Sequence, residues 1–479
     1  MVTALAAHTP PPQLGEAMDT LKSMLGDRIS TAHAVREQHG KDISHHPAGL
    51  PDAVAFAESV DEVADIVKVC ARHAIPIIPF GTGTSLEGHI AAPLGGLSLD
   101  VSRMDKIVAV HAEDLDAVVQ PGVTRKTLNT HLRDTGLFFP IDPGADASLG
   151  GMSSTRASGT NAVRYGTMRE NVMALQVVTP DGRIIRTGGR SRKSAAGYDL
   201  TRLYVGSEGT LGIITEVTLR LYGIPEKIAA AVCAFDTLEG AVNAVICVIQ
   251  MGIPIARIEL MDDEQMRILN NYAKLGYSQK NTLFMEFHGT EAGVKEQAEM
   301  VQDIASDNGG GGFSWTTDAE ERTKLWQARH DVAWANKEDK PGWGFWATDV
   351  CVPISRLADV ILETKEDVQK EQLTAPLLGH VGDGNFHMTI MVKPNDAEYL
   401  ARVEAVNDRM IERALAAGGT STGEHGIGLG KMKFLRAEHG ESVQLMQDIK
   451  RALDPQNIMN PSKIFGPSSG PHLHKQQNT

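Results

Sequence analysis

The chain has 479 residues, with 46 Lys plus Arg against 60 Asp plus Glu and a formal net charge of −14. At roughly 100–200 residues per domain it is long enough for two or three domains, each with its own core. Its 42% hydrophobic and 22% charged residues are those of an ordinary globular protein. The acidic balance argues against nucleic acid as a partner and gives no attraction to anionic lipid. The four cysteines, Cys70, Cys233, Cys247 and Cys351, form no CxxC pair. A disulfide scaffold and a cysteine-ligated iron–sulfur cluster are thereby excluded. No apolar run approaches the about 18 residues of a membrane span. No Lys or Arg precedes Lys22, so the N-terminus resembles neither a secretory signal nor an arginine-rich transit peptide. The expected location is cytoplasmic, with peripheral contact at the inner membrane left open.

In chain order, residues 1–50 read as a polar lead containing Pro10, Pro11 and Pro12, followed by a short helix. Ala53–Ala57 is an apolar run, and Ser59-Val-Asp-Glu62 is a capping box that opens a helix through His73. Ile75–Phe80 follows as a short buried strand, so this stretch predicts a βαβ unit. From Gly81 to about Tyr222 short β-like runs alternate with glycine-rich loops. Beyond Pro225 longer helical patterns appear at 238–250, 262–271 and 292–306, with a strand at 282–288. Asn308-Gly-Gly-Gly-Gly312 reads as a flexible loop. All five tryptophans, Trp315, Trp326, Trp334, Trp343 and Trp346, lie close behind it. Such clustering fits a core as well as a pocket roof, and none of the five is assigned a role. A helix at 401–417 stops at Gly418-Gly419. The Ser/Gly/Pro/Gln-rich tail after Pro467 reads as disordered.

Four glycine-rich segments point to an anion-binding cradle. Pro79-Phe-Gly-Thr-Gly-Thr-Ser-Leu-Glu-Gly88 leaves a predicted strand and offers successive backbone N–H groups with hydroxyls beside them. It is neither GxGxxG nor a Walker A loop. Asp142-Pro-Gly-Ala145, Gly150–Thr160 and Gly206–Thr215 repeat the texture. Tight turns account for one or two such loops; four together predict a long ligand lying against backbone.

The histidine pattern points to a metal. In His380-Val-Gly-Asp-Gly-Asn-Phe-His387, Asp383-Gly384 is a favoured type I′ hairpin pair. A two-residue turn there sets His380 opposite His387, with Cβ atoms about 4.5–5.5 Å apart. Two histidines stacked across strands in a core remain the alternative, because His-x6-His is not a zinc-finger spacing. Ser421-Thr-Gly-Glu424-His425-Gly-Ile-Gly428 adds a carboxylate and an imidazole on a glycine-bounded loop. His380, His387 and Glu424 then make a two-His, one-carboxylate set suited to Zn²⁺, Mn²⁺ or Fe²⁺.

These segments resemble the FAD-binding domain of the vanillyl-alcohol-oxidase and p-cresol-methylhydroxylase flavoproteins. The nearest branch is that of FAD-linked D-lactate dehydrogenases, glycolate oxidase catalytic subunits and D-2-hydroxyglutarate dehydrogenases. The resemblance runs from about Pro51 to Gly466. It implies an α+β fold with a PCMH-type FAD-binding domain of two α/β subdomains and a cap domain with an antiparallel sheet. The implied division is a lead at 1–50, the FAD-binding domain at 51–224, the cap at 225–453, a returning segment at 454–466 and the tail at 467–479. By the same resemblance Pro79, Gly81, Thr82, Gly83, Thr84 and Ser85 hold the pyrophosphate. Pro143, Gly144, Gly151, Ser153, Ser154, Ala157, Gly159, Thr160 and Gly166 line the cofactor. Glu208, Gly209, Gly212 and Ile214 complete its site, and Asn460 approaches the isoalloxazine. The first loop has no histidine between Gly81 and Ser85, so the FAD is expected to be non-covalent; His89 lies just beyond.

The resemblance also makes His380, His387 and Glu424 the ligands of a divalent metal, Zn or Mn. The expected activity is oxidation of a D-2-hydroxy acid, with hydride passing to flavin, the metal polarising the hydroxyl and His425 as base. Arg329 resembles the family's substrate-carboxylate arginine, although a surface pairing with Glu321 is the competing role. Relatives that oxidise dicarboxylates carry a lysine where this chain has Ala347, and Ala333 follows Arg329 by four residues. Without an anchor for a second carboxylate, a small monocarboxylate such as D-lactate is favoured. Glycolate and D-2-hydroxyglutarate are the alternative substrates, and a metallohydrolase using the His/His/Glu set is the alternative class. A non-catalytic nucleotide-binding scaffold would leave that set without a purpose. The electron acceptor is left open among cytochrome c, quinone and electron-transfer flavoprotein, and a homodimer is compatible with the sequence.

Overall fold

The computed structural model describes residues 14–274 and 276–466. The Pro10–Pro12 run and the tail from 467 fall outside the described residues. Ser59 caps the helix Val60–His73 by accepting the N–H of Glu62 at 3.3 Å, and Ala74 in the left-handed region ends it. The helix buries Val63, Ile66, Val67 and Cys70, a stripe of period 3.6, against a four-stranded sheet. That sheet runs in the order Ile29–Ser30, Ala53–Phe56, Leu97–Asp100, Ile77–Phe80. The strands on either side of the helix are not neighbours: Leu97–Asp100 lies between them, parallel to both. The C-terminal segment returns to the outer strand, where Ile77 N donates to Ile458 O and Asn460 N donates to Ile77 O.

A second, antiparallel sheet has the order Ile107–His111, Asp116–Val119, Ile213–Arg220, Val172–Val178, Ile184–Arg186. Val178 and Ile213 also enter the first sheet's core, which joins the two units. From Lys227 the chain builds one large antiparallel sheet. Its order is Gly310–Thr316, Lys227–Phe235, Asn281–Gly289, Ile255–Met261, Leu377–Gly379, Asn385–Val392, Gly344–Ala347, with Val350–Cys351 also on Asn385–Val392. Pleating sorts the strands: Ala229, Ala231, Cys233 and Phe235 pack under helices Leu238–Gln250 and Glu291–Asp307. Ala230 and Phe284 point the other way, to Leu325 and Trp326 of helix Ala319–His330. The fold is α+β.

The glycine run at 308–312 is not a free loop, which corrects the sequence expectation. Gly310 opens the edge strand Gly310–Thr316, paired with Phe235. A Cβ at Gly310 would come within 2.7 Å of Ala305 O and 2.9 Å of Cys233 Sγ. Close packing, not disorder, calls for glycine there.

Candidate active site

Between the glycine-rich loops and the large sheet lies a cavity of about 580 Å³. Its first wall carries Pro79, Gly81, Thr82, Gly83, Thr84, Ser85, Pro143, Gly144, Gly151, Ser154, Ala157, Thr160, Glu208, Gly209, Gly212, Ile214 and Asn460. Three candidates stand behind that wall instead. Ser153 turns its hydroxyl onto Leu149 O within its own helix, and Gly166 ends helix Ala162–Tyr165. Gly159, at φ +149°, packs against the backbone of Asp142. His89, Asp142, Gly150 and Ser158 are also on the wall, and none of them was assigned to the cofactor from sequence. Asp142 opens one of the four glycine-rich segments; its bonds to Thr160 Oγ1 and Asn161 N show its use.

The wall suits a long cofactor held by backbone. A Cβ at Gly81 would collide with Ser148 Oγ, and one at Gly150 would lie 2.5 Å from Pro121 Cβ. Gly144 has open space on its Cβ side. Ser148 Oγ and both ring nitrogens of His89 are buried without an aligned protein partner. FAD therefore finds a cradle of backbone in these loops.

The opposite wall carries the histidine pair, but not on the expected hairpin. Val381–Asp383 forms a turn of 3₁₀ helix closed by Gly384 at φ +79°, and Leu378, not His380, pairs with His387. The shift is two residues, so the pleat returns His380 to the face of His387. Ring centroids lie 5.5 Å apart, and Glu424 Oε1 is 3.1 Å from His380 Nε2 and 3.3 Å from His387 Nε2. One ligand atom from each of the three lies within 4.8 Å of the others. The outward nitrogens are also held: His380 Nδ1 on Glu259 Oε1 at 2.6 Å, His387 Nδ1 on the carbonyl of Thr348 at 2.9 Å. That backing fixes both Nε2 lone pairs toward one point, the arrangement of metal-binding histidines. Burial disfavours a charged His380, yet Glu259 and Glu424 hold it well above the usual imidazole range. A divalent cation would sit in the same negative field, and the residues fit one.

Sequence reasoning missed the two carboxylates that organise this wall. Glu259, from strand Ile255–Met261, spends one oxygen on His380 and the other on Arg329 Nε at 2.8 Å. Arg329 therefore pairs with Glu259, not Glu321, and faces the cavity. Asp349 is fully buried and accepts the N–H groups of Glu424 and His425 and the hydroxyl of Thr422. Lys431 Nζ stands 3.6 Å from it. His425 stacks on His387, centroids 5.0 Å apart and planes 8° apart. Its Nδ1 is buried without a partner. Burial pushes the His425 imidazole down, with His387 and Lys431 adding to this against the pull of Asp349. Ala333, Trp334, Phe345, Ala347 and Thr389 close this end of the cavity.

Two family models match the chain: an FAD binding domain over residues 51–188 and the C-terminal domain of FAD linked oxidases over residues 224–464. The substrate-bound crystal structure of p-cresol methylhydroxylase superposes with a TM-score of 0.80 at 19% identity, covering 97% of this chain and 99% of that one. The chain belongs to the FAD-linked oxidases of the p-cresol-methylhydroxylase type. Within that family it is similar to the probable mitochondrial D-lactate dehydrogenase of Danio rerio, 52% identical over 453 residues, 94% of this chain and 91% of that protein. The mitochondrial D-lactate dehydrogenase [cytochrome] of Arabidopsis thaliana is 46% identical over 94% of this chain and 80% of its own length. The protein is an FAD-linked oxidoreductase. A match to an FAD binding domain removes the premise of the metallohydrolase alternative, which needed the glycine loops to be merely structural.

The relatives also correct the expected location. Both carry a mitochondrial designation, which overturns the cytoplasmic expectation drawn from an N-terminus poor in Arg and Lys. Among the described residues no helix is long and apolar enough to cross a membrane.

Proposed function

We propose that the protein oxidises D-lactate to pyruvate, with FAD as hydride acceptor, a divalent metal on His380, His387 and Glu424, and His425 as general base. The observation that carries this reading is that the metal triad, His425 and Arg329 face the same cavity as the flavin-type loops. FAD, when bound, supplies the redox chemistry. A Zn²⁺ or Mn²⁺ ion at the triad would act as a Lewis acid on the substrate's hydroxyl.

The chain's own residues do the rest. Arg329 orients the substrate carboxylate, its guanidinium steadied by Glu259. His425, whose pKa burial lowers, lines the cavity and takes the hydroxyl proton. Asp349 fixes the loop that carries His425 through two backbone N–H groups. Ala333 and Ala347 give a second carboxylate nothing to pair with, which disfavours D-2-hydroxyglutarate. Glycolate lacks only a methyl group, so discrimination against it is worth about 1–3 kcal/mol.

The name of the Arabidopsis relative supports a cytochrome as electron acceptor, and the net charge of −14 suits a basic one. Anaerobic addition of D-lactate, L-lactate, glycolate and D-2-hydroxyglutarate to the purified yellow protein tests the substrate. Fast bleaching by D-lactate and little by the other three is expected. Faster bleaching by glycolate or D-2-hydroxyglutarate would reassign it.

A further inference from the structure

Two residues of one strand join the two walls of the cavity. Arg257 and Glu259 stand two apart on Ile255–Met261 and so share a face of the sheet. Glu259 serves the histidine wall through His380 and Arg329. Arg257 reaches into the flavin-side wall. Its Nε donates to Asn161 Oδ1 at 2.9 Å, and its Nη2 lies 3.3 Å from Asp142 Oδ2. Asp142 and Thr160 line the cavity, and Asp142 gathers both loops by accepting Thr160 Oγ1 at 2.7 Å and Asn161 N at 3.0 Å. Helix Ala319–His330 completes the frame with two residues on one face. Trp326 lies under the Arg257 guanidinium, 4.7 Å from carbon to ring centroid, and Arg329 pairs with Glu259. Glu286 Oε1 stands 3.5 Å from Arg257 Nε and 2.7 Å from His288 Nε2. Burial disfavours a charged Glu286, yet Arg257 and His288 hold its carboxyl below the usual range.

We propose that Arg257 is a positioning residue for hydride transfer: by clamping Asp142 and Asn161 to the strand that carries Glu259, it sets the spacing between the flavin-side wall and the residues that hold the substrate. The inference rests on the D-lactate reading of this cavity. Arg257 stands behind the cavity surface and touches neither ligand's space, so it acts only through its partners. Its chemistry suits the task. A guanidinium is planar and always charged, so its edge pairs with Asp142 and Asn161 while its face stacks on Trp326. Misplacing reacting groups by about 1 Å costs about a hundredfold in rate, so a strut two residues from Glu259 has leverage on the chemistry.

The test compares wild type, Arg257→Met and Arg257→Lys, each saturated with FAD and metal, by anaerobic flavin reduction with D-lactate and by hydrogen–deuterium exchange. In Arg257→Met the limiting rate is expected to fall about a hundredfold, with the half-saturating D-lactate concentration changed less than about threefold. C2-deuterated D-lactate should slow that variant further, which assigns the lost rate to hydride transfer. Amides at 142–145 and 158–161 should exchange faster, and those at 421–428 as in wild type. Arg257→Lys keeps a charge for Asp142 and should recover about tenfold of the rate. A limiting rate within about twofold of wild type in Arg257→Met would overturn the proposal, as would unchanged exchange at 142–145. So would a lysine variant no faster than the methionine variant. If Arg257→Met does not fold, Arg257→Gln carries the same contrast, since it keeps a donor for Asn161 without the charge. Wild type that holds FAD but is not reduced by D-lactate would overturn the D-lactate reading, and this proposal with it.

Discussion

The two walls of the cavity are built on opposite principles. The flavin-side wall is shaped by backbone: Gly81, Gly150 and Gly209 each bring main chain against a neighbour, at Ser148, Pro121 and Pro79 respectively. The histidine wall is shaped by charge, with buried Glu259, Asp349 and Lys431 and half-buried Glu424 each held by several partners. A wall of backbone fails when a methyl group is added. A wall of charges fails when one member is removed and its partners are left buried and unpaired.

The largest expected effect follows from that asymmetry. Asp349→Ala strands the N–H groups of Glu424 and His425 and the Thr422 hydroxyl, and takes one carboxylate away from the Lys431 ammonium. Chemical denaturation should show a loss of about 3–5 kcal/mol. A loss below about 1 kcal/mol would mean that the loop does not depend on this carboxylate. Next, Glu259→Gln should weaken metal affinity about 10–100-fold, read by titration with Zn²⁺ or Mn²⁺, because His380 loses the carboxylate behind it. FAD affinity should be untouched by this change. Gly81→Ala should do the reverse: FAD binding falls about tenfold with the metal titration unchanged. Mutants that spread their effects over both ligands would break the division between the walls.

The gentlest effect per step of the measurement is on pH dependence, because it is spread over several pH units. Lys463 donates to Ala91 O at 2.6 Å, and burial pushes its ammonium down to about 7. In the unfolded chain it holds its proton to about pH 10.4. Between those values the unfolded state binds more protons, so this group makes stability rise with pH, by at most about 1.4 kcal/mol per unit. Thermal melts from about pH 7 to 10 should show the Lys463→Met variant losing that rise relative to wild type. An identical pH profile would mean that Lys463 keeps its proton in the folded protein.

Local signals were legible in the sequence where local physics decides the outcome. Ser59 and Thr237 both cap helices through a side-chain oxygen, and the helix at 238–250 has the predicted bounds. The histidine pair survived a wrong register because the error was an even number of residues, which preserves the face of a strand. Glu259 and Asp349 gave no such signal. Glu259 meets His380 across 121 residues, and Asp349 meets His425 across 76, so only the folded sheet and loops reveal their use. The glycines at 310–312 were misread for the same reason: the contact that excludes a side chain at Gly310 comes from Ala305 and Cys233 in the packed fold.

The most direct test of one site formed by two walls is anaerobic reduction of the flavin by D-lactate before and after chelation of divalent metal. If His380, His387 and Glu424 hold a catalytic ion, the chelated protein keeps its FAD but is reduced at least about a hundredfold more slowly, and added Zn²⁺ or Mn²⁺ restores the rate. A metal-free protein that keeps its FAD and is reduced by D-lactate at the full rate would contradict the account.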